Sequence, residues 1–353
     1  MRCESSRRPG KAAARETKQA WGADKPSVRT IVYTSPFVPP EWIAAHGARP
    51  QRILPNAHAA APSSAPPAGM CPYARAMVGT LASAADADAA VLTTTCDQTR
   101  RAAEWAAMTG RLPVFLLNVP ATWQTPAAVR LYRDELLRLG RFLVRLGGSE
   151  PSHEMLCRTM AAYDEARRDL RRAMGTRPPR RANEAVATFD LERPLDASSV
   201  QPAPAPHAVP VAVVGGPLLQ GDAEVFDIIE GAGGRVVLDA TETGERGLPA
   251  PFDRRRLQDD PVMELVEAYF GTIPDAFRRP DEALRAYLER EVAAGAARGI
   301  IVWRYLWCDH WAAFVPRLRE ATGLPVLDLD VSVDKGHLGR VSNRIQAFLE
   351  ILT

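Results

Sequence analysis

Apolar positions along this chain follow two rhythms. Short β-branched runs alternate with longer stretches in which apolar residues recur every three or four positions. The first rhythm marks buried strands, the second amphipathic helices. Strands are predicted at Arg29–Thr34, Arg52–Leu54, Ala89–Thr95 and Leu112–Val119, with helices over Pro39–His46, Cys71–Ala82 and Gln98–Thr109. Proline opens the first helix and Gly47 closes it. Two amphipathic helices follow, Ala127–Leu146 and Ser152–Met174, and Leu136, Leu139, Leu143 and Leu146 share one face of the first. The alternation resumes with strands at Val209–Val214, Val236–Asp239, Ile300–Tyr305 and Val326–Val331. Helices are expected over Ala223–Glu230, Pro261–Phe270, Asp281–Ala297, His310–Ala321 and Leu338–Leu352. Alternating strand and helix predicts parallel sheets flanked by helices.

Polar and proline-rich stretches divide the chain. Residues 1–27 are basic and aperiodic and are expected to be a disordered tail. Ala57–Gly69 is rich in Ala, Pro and Ser and reads as loop; residues 175–208 read as a second breaker region. The predicted organisation is therefore a tail (1–27), a first α/β domain (28–148), a helical and Pro-rich connector (149–208) and a second α/β domain (209–353). The halves look duplicated. Cys96-Asp97 is followed by a helix and Leu112-Pro113-Val114; Cys308-Asp309 is followed by a helix and Leu324-Pro325-Val326. The Cys-to-Pro spacing is 17 residues both times (113 − 96 and 325 − 308). Each half also opens with a strand running into Ser35-Pro36 or Gly216-Pro217, then a helix closed by Gly47 or Gly231.

Composition narrows the function classes. The 353 residues are 46% hydrophobic and 24% charged, which suits globular α/β domains and excludes a fibre or a wholly disordered chain. No apolar run is long enough to cross a membrane. The formal charge is +2, and residues 1–30 hold eight basic and three acidic side chains, leaving a body of −3. That is not the footprint of a nucleic-acid binder. Five cysteines are too few for a disulfide scaffold, and no apolar run follows Arg7-Arg8 as a signal segment requires. A cytoplasmic protein with reduced thiols is expected. The 40 Arg against 4 Lys, and the 30 Pro, read as genome composition.

Chemistry points to the cysteines. Cys96 and Cys308 each lie past the carboxyl end of a predicted parallel strand and before a helix, where ligands bind in open α/β sheets. Cys71 opens its own helix within Gly69-Met-Cys-Pro-Tyr73. A helix N-terminus is expected to favour the thiolate. The separations, 25 and 212 residues, mean that a shared site must be assembled by folding. Three converging thiolates suit an iron–sulfur cluster or zinc; the alternative is that cysteine packs as a small buried residue. Cys157, on an amphipathic helix beside Leu156 and Met160, reads as such a core residue, and Cys3 in the tail as incidental.

Several blocks, in order, resemble the 2-hydroxyacyl-CoA dehydratase family, the D-component subunits related to benzoyl-CoA reductase subunits. They are Tyr33-Thr-Ser-Pro36 with Pro40-Glu41 and Ala45-His-Gly47, Cys71-Pro-Tyr-Ala-Arg75, Thr94-Thr-Cys-Asp97 with Arg100-Arg101, and Pro113-Val-Phe-Leu116. In the second half they are Gly215-Gly-Pro-Leu218, Trp307-Cys-Asp309 and Arg344-Ile-Gln-Ala-Phe-Leu349. The resemblance spans roughly residues 29–353. It implies two flavodoxin-like (Rossmann-like) parallel-sheet domains with helical additions. It also implies a [4Fe-4S] cluster held by Cys71, Cys96 and Cys308, with one iron open to the substrate carbonyl. The implied activity is radical (ketyl) elimination of water from a 2-hydroxyacyl-CoA after one-electron reduction, by a lyase subunit. The implied partners are an acyl-CoA, a paralogous subunit (heterodimer) or second copy (homodimer), and a separate ATP-dependent iron–sulfur activator. Alternatives within the resemblance are a benzoyl-CoA reductase-type or double-cubane-type reductase subunit, or an electron-transfer protein without thioester chemistry. A cluster-free α/β binding protein is the alternative outside it.

Ser35 matches a family position near the cluster; it is expected either to act there or to serve as a turn hydroxyl. Arg100 and Arg101 read as CoA-phosphate contacts or as a solvated helix face. Asp97 and Asp309 are expected to cap helices, and Glu41 and His46 to decorate a short helix. No G-x-x-x-x-G-K-[ST] segment is present, so the chain is not itself the ATPase.

Overall fold

The computed structural model describes residues 28–59, 69–192, 207–334 and 336–353. The predicted tail with Cys3, and much of both Pro-rich stretches, lie outside the described residues. The first lobe runs β1 (Thr30–Tyr33), α1 (Pro40–Ala45), β2 (Arg49–Arg52), α2 (Pro72–Ser83), β3 (Ala89–Thr93), α3 (Asp97–Met108), β4 (Val114–Leu117), then α4 (Pro126–Arg145) and α5 (His153–Met174). A helix α6 (Pro179–Ala187) leads toward β5 (Val209–Gly215), α7 (Glu224–Gly231) and β6 (Gly234–Ala240). After α8 (Arg254–Asp259), α9 (Pro261–Val266) and α10 (Glu282–Ala294) come β7 (Gly299–Tyr305), α11 (Asp309–Thr322), β8 (Val326–Val331) and α12 (His337–Leu352).

Both sheets are wholly parallel, and their orders match: β2-β1-β3-β4 and β6-β5-β7-β8. Each places its second strand outside its first, which is the flavodoxin-type winding. The duplication seen in the Cys-to-Pro spacing is thus a duplication of topology. The α/β fold with two parallel sheets is as expected. Three local readings differ. β2 starts at Arg49 rather than Arg52, where it pairs in register with β1. The breaker region contains α6, opened by Pro178-Pro179 and burying Ala182 and Val186. The helix predicted at 261–270 stops at Val266 and widens into a π-helical turn over Glu267–Gly271.

One apolar core spans the lobes. It joins Val32, Met77 and Leu92 to Val211, Phe226, Ile301 and Trp303. On the other face of the first sheet, Ile31 and Val91 pack with Leu136 and Leu139 of α4, Leu156 of α5, and Leu265 and Phe270. Residues from Phe252 to Phe277 therefore cover the first lobe although they follow β6 in sequence. A third core lies between the second sheet, α10 and α11, with Val302, Leu284 and Phe314. Gly215 ends β5 where a Cβ would sit 2.0 Å from the Trp303 carbonyl oxygen, so only glycine allows β5 this close to β7.

Candidate functional site

In a sheet of this winding, the chain turns opposite ways after the first and third strands, leaving a crevice at their carboxyl ends. Both lobes turn that crevice toward the same space. A cavity of about 510 Å³ is lined from β1 and β3 by Thr34, Ser35, Thr93, Thr95 and Cys96, and from β5 and β7 by Gly216, Pro217, Tyr305 and Cys308. Cys71 lines it from the start of α2. Folding thus brings together the three cysteines, which lie 25 and 212 residues apart in sequence.

Each cysteine sits at the start of a helix. Cys71 caps α2: its sulfur accepts from the Ala74 N–H (3.4 Å), while its own N–H donates to Gln98 Oε1 of α3 (2.9 Å). Cys96 caps α3 in a reciprocal box, with Sγ accepting from the Thr99 N–H and the Cys96 N–H donating to Thr99 Oγ1, both 3.3 Å. Cys308 precedes α11. The cap positions therefore belong to the cysteines, with a side-chain cap bond at Cys71 and Cys96 and none at Cys308, and Asp97 and Asp309 occupy the first helical positions, both exposed. The expected thiolate stabilisation is overridden. Burial pushes the Cys71 thiol up to about 11 and the Cys308 thiol up to about 12, and it raises Cys96 as well. Amide hydrogen bonds lower all three, but less than loss of water raises them. Thiols so close together also disfavour one another's charge. Trp307, just before Cys308, is 54% exposed at the cavity mouth and holds the left-handed backbone (φ 65°). That conformation is uncommon for a side chain of this size.

The remaining expected residues sort by position. Ser35 is buried on the cavity wall, and its Oγ accepts from the Phe37 N–H at 3.3 Å, a turn hydroxyl whose own proton is not used there. Arg100 and Arg101 line the mouth; Arg100 is tied to Glu104 (2.7 Å) and Asp97 (3.4 Å). Glu41 and His46 are not surface decoration. Glu41 is buried in an ion pair with Arg167 and accepts from Tyr269 Oη at 2.7 Å. His46 Nδ1 lies 2.7 Å from the Trp42 carbonyl. Cys157 packs in the core, its thiol 3.2 Å from the Leu257 carbonyl.

The fold adds residues that the sequence reading passed over. Glu242, just after β6, and Asp275 also line the cavity. Asp275 accepts from Arg246 Nη1 (2.7 Å), a buried guanidinium that also donates to the carbonyls of Ala240, Gly215 and Pro274. Glu242 has no hydrogen bond to its carboxylate among the described residues. Burial and the neighbouring Asp275 raise its carboxyl to about 7, against the pull of Arg246 and Arg52. The available signal was positional: Glu242 follows the predicted strand 236–239 by three residues, at a carboxyl end.

No three His, Cys, Asp or Glu side chains among the described residues are grouped to hold a single metal ion. A lone zinc would need sulfurs about 2.3 Å from one centre. The sequence from residue 36 to 352 matches the family 2-hydroxyglutaryl-CoA dehydratase, D-component. The chain belongs to that family. It is a dehydratase-type subunit, and the match takes in both lobes and all three cavity cysteines. No individually curated protein matches the sequence. Among solved structures, this D-component family member is similar to the SBP FpvC from P. aeruginosa in complex with Ni2+, with 14% identity over 92% of this chain and 96% of that one and a TM-score of 0.24. It is also similar to a Mn-bound periplasmic metal binding protein from candidatus liberibacter asiaticus, with 11% identity over 92% and 100% and a TM-score of 0.23. Likenesses this loose carry over neither fold nor ligand.

Proposed function

We propose that this chain is the iron–sulfur subunit of a 2-hydroxyacyl-CoA dehydratase, with Cys71, Cys96 and Cys308 as ligands of a [4Fe-4S] cluster. The observation that supports this reading is the meeting of three cysteines, two from the first lobe and one from the second, around one cavity. The donor set fits the group. Thiolates suit iron–sulfur centres, and three of them leave one iron for another ligand. The cavity is wide enough for a body larger than an ion. Thiols held protonated by burial become thiolates once iron neutralises their charge. When bound, the group supplies one electron at low potential for ketyl-type elimination of water and an open iron for the thioester carbonyl oxygen.

The chain's own residues do the rest. The N-termini of α2 and α3 present amides to the bound sulfurs. Trp307 and Arg101, exposed at the mouth, flank the path of the acyl-CoA, and Ser35 offers its unused proton to an oxygen inside. A paralogous or second copy of the subunit and a separate ATP-dependent iron–sulfur activator complete the enzyme. It works in the cytoplasm, where thiols stay reduced.

Anaerobic iron and sulfide analysis after reconstitution tests the cluster. Cys96→Ala and Cys308→Ala are expected to lose its visible absorbance, and Cys157→Ala to keep it. Iron-free wild-type protein, or loss in Cys157→Ala alone, would overturn the assignment. Turnover of a 2-hydroxyacyl-CoA with a reducing activator tests the reaction.

A further inference from the structure

The turn after β6 is built to hold one acid toward the cavity. Thr241 Oγ1 donates to Asp239 Oδ1 (2.7 Å), and Asn183 Nδ2 donates to Asp239 Oδ2 (2.7 Å) and lies 3.4 Å from Thr243 Oγ1. The hydroxyls on either side of Glu242 are thus tied into a buried network. The Glu242 main chain is fixed as well. Its N–H donates to the Gly216 carbonyl (3.2 Å), and its carbonyl accepts from Arg52 Nη2 of the other lobe (3.3 Å). Gly247 closes the turn, since a Cβ there would lie 2.2 Å from the Glu242 carbonyl oxygen. Among the described residues, what remains without a hydrogen bond is the carboxyl group, in the cavity that the three cysteines also line.

We propose that Glu242 is the acid that protonates the leaving 2-hydroxyl of the thioester substrate. The inference rests on the dehydratase reading above. The substrate has by then received one electron from a low-potential one-electron donor. The C2–O bond breaks with its electron pair passing to oxygen. The Glu242 proton moves to that oxygen, and water leaves. The resulting carboxylate takes the C3 proton, which restores the acid, and the electron is recovered as the unsaturated thioester forms. The charged and titratable groups that act on or feel Glu242 are Asp275, Arg246 and Arg52, and Cys96 and Tyr73 of the same cavity lining. Burial and the neighbouring Asp275 hold the Glu242 carboxyl above the usual carboxylate range, which favours the protonated form that the step needs.

The test needs binding as well as turnover. Wild type, Glu242→Gln and Glu242→Ala are titrated calorimetrically, below and above neutral pH, with 2-hydroxyglutaryl-CoA and with glutaryl-CoA, which lacks the hydroxyl. Below neutral pH the wild type is expected to favour the hydroxylated thioester about 5- to 10-fold. Glu242→Gln, whose amide still donates, keeps the preference, and Glu242→Ala loses it. With the activator present, turnover of Glu242→Gln falls about 100-fold or more, because an amide yields no proton. A preference that survives in Glu242→Ala, or Glu242→Gln turning over within about threefold of wild type, overturns the proposal. If neither thioester binds the wild type, the dehydratase reading fails, and this proposal with it.

Discussion

The most demanding single residue outside the cavity is Arg167. Its guanidinium is buried against Glu41 and donates to Tyr269 Oη at 3.1 Å, and it sits 5.0 Å over the Phe252 ring. Removing one member of such a pair leaves a charge without water or partner. Arg167→Ala is expected to destabilise the protein by about 3–5 kcal/mol. Urea unfolding should show this as a lower midpoint at an unchanged slope; a shift under about 1 kcal/mol would show that the pair is solvated. From sequence Glu41 looked like decoration on a short helix, because its partner lies 126 residues away (167 − 41) on α5. The cysteines were legible as candidates for the opposite reason. A residue between a strand and a helix is a local fact, and three such positions shared one residue type. Their raised pKa values were not legible, since burial is set by the whole fold.

At the scale of elements, the cysteine caps separate two roles that would otherwise be confused. Cys96 holds the first turn of α3 and is also a proposed ligand. Serine keeps a capping oxygen but offers no thiolate; alanine offers neither. Without metal, Cys96→Ala should lose about 0.5–2 kcal/mol and Cys96→Ser a fraction of that. Both should lose the iron. If Cys96→Ser were as unstable as Cys96→Ala without metal, the cap would carry no weight. Strand and helix positions were mostly readable, because periodicity and flanking Pro or Gly are written in neighbouring residues. α6 escaped because the prolines around it read as breakers, yet Pro178-Pro179 stand where a helix begins. The π-helical turn after α9 also escaped. It lies where Phe270 must reach Tyr132, stacked 4.9 Å away on α4, and no local pattern encodes that demand.

At the scale of the molecule, the lobes are joined too tightly to behave as beads on a string. One core runs through both, Arg52 of β2 donates to Thr34 of its own lobe and Glu242 of the other, and the Gln220 N–H donates to the Pro55 carbonyl. The expected consequence is one cooperative unfolding transition, with calorimetric and van't Hoff enthalpies in agreement. Two resolved transitions would mean that the shared core contributes little. The coupling also bears on function, because a site with walls from both lobes keeps its geometry only while they stay docked.

Strand–helix alternation, the repeated 17-residue spacing and the placing of three cysteines at helix starts are properties of residues near one another in the chain. They are enough by themselves to specify the α/β class and the duplication. The meeting of both crevices on one cavity, the burial that raises the cysteine thiols, the buried Glu41–Arg167 pair and the approach of Glu242 to the site arise from contacts between distant segments. Such contacts depend on which apolar faces bury one another and on where water is excluded, and no stretch of neighbouring residues records either.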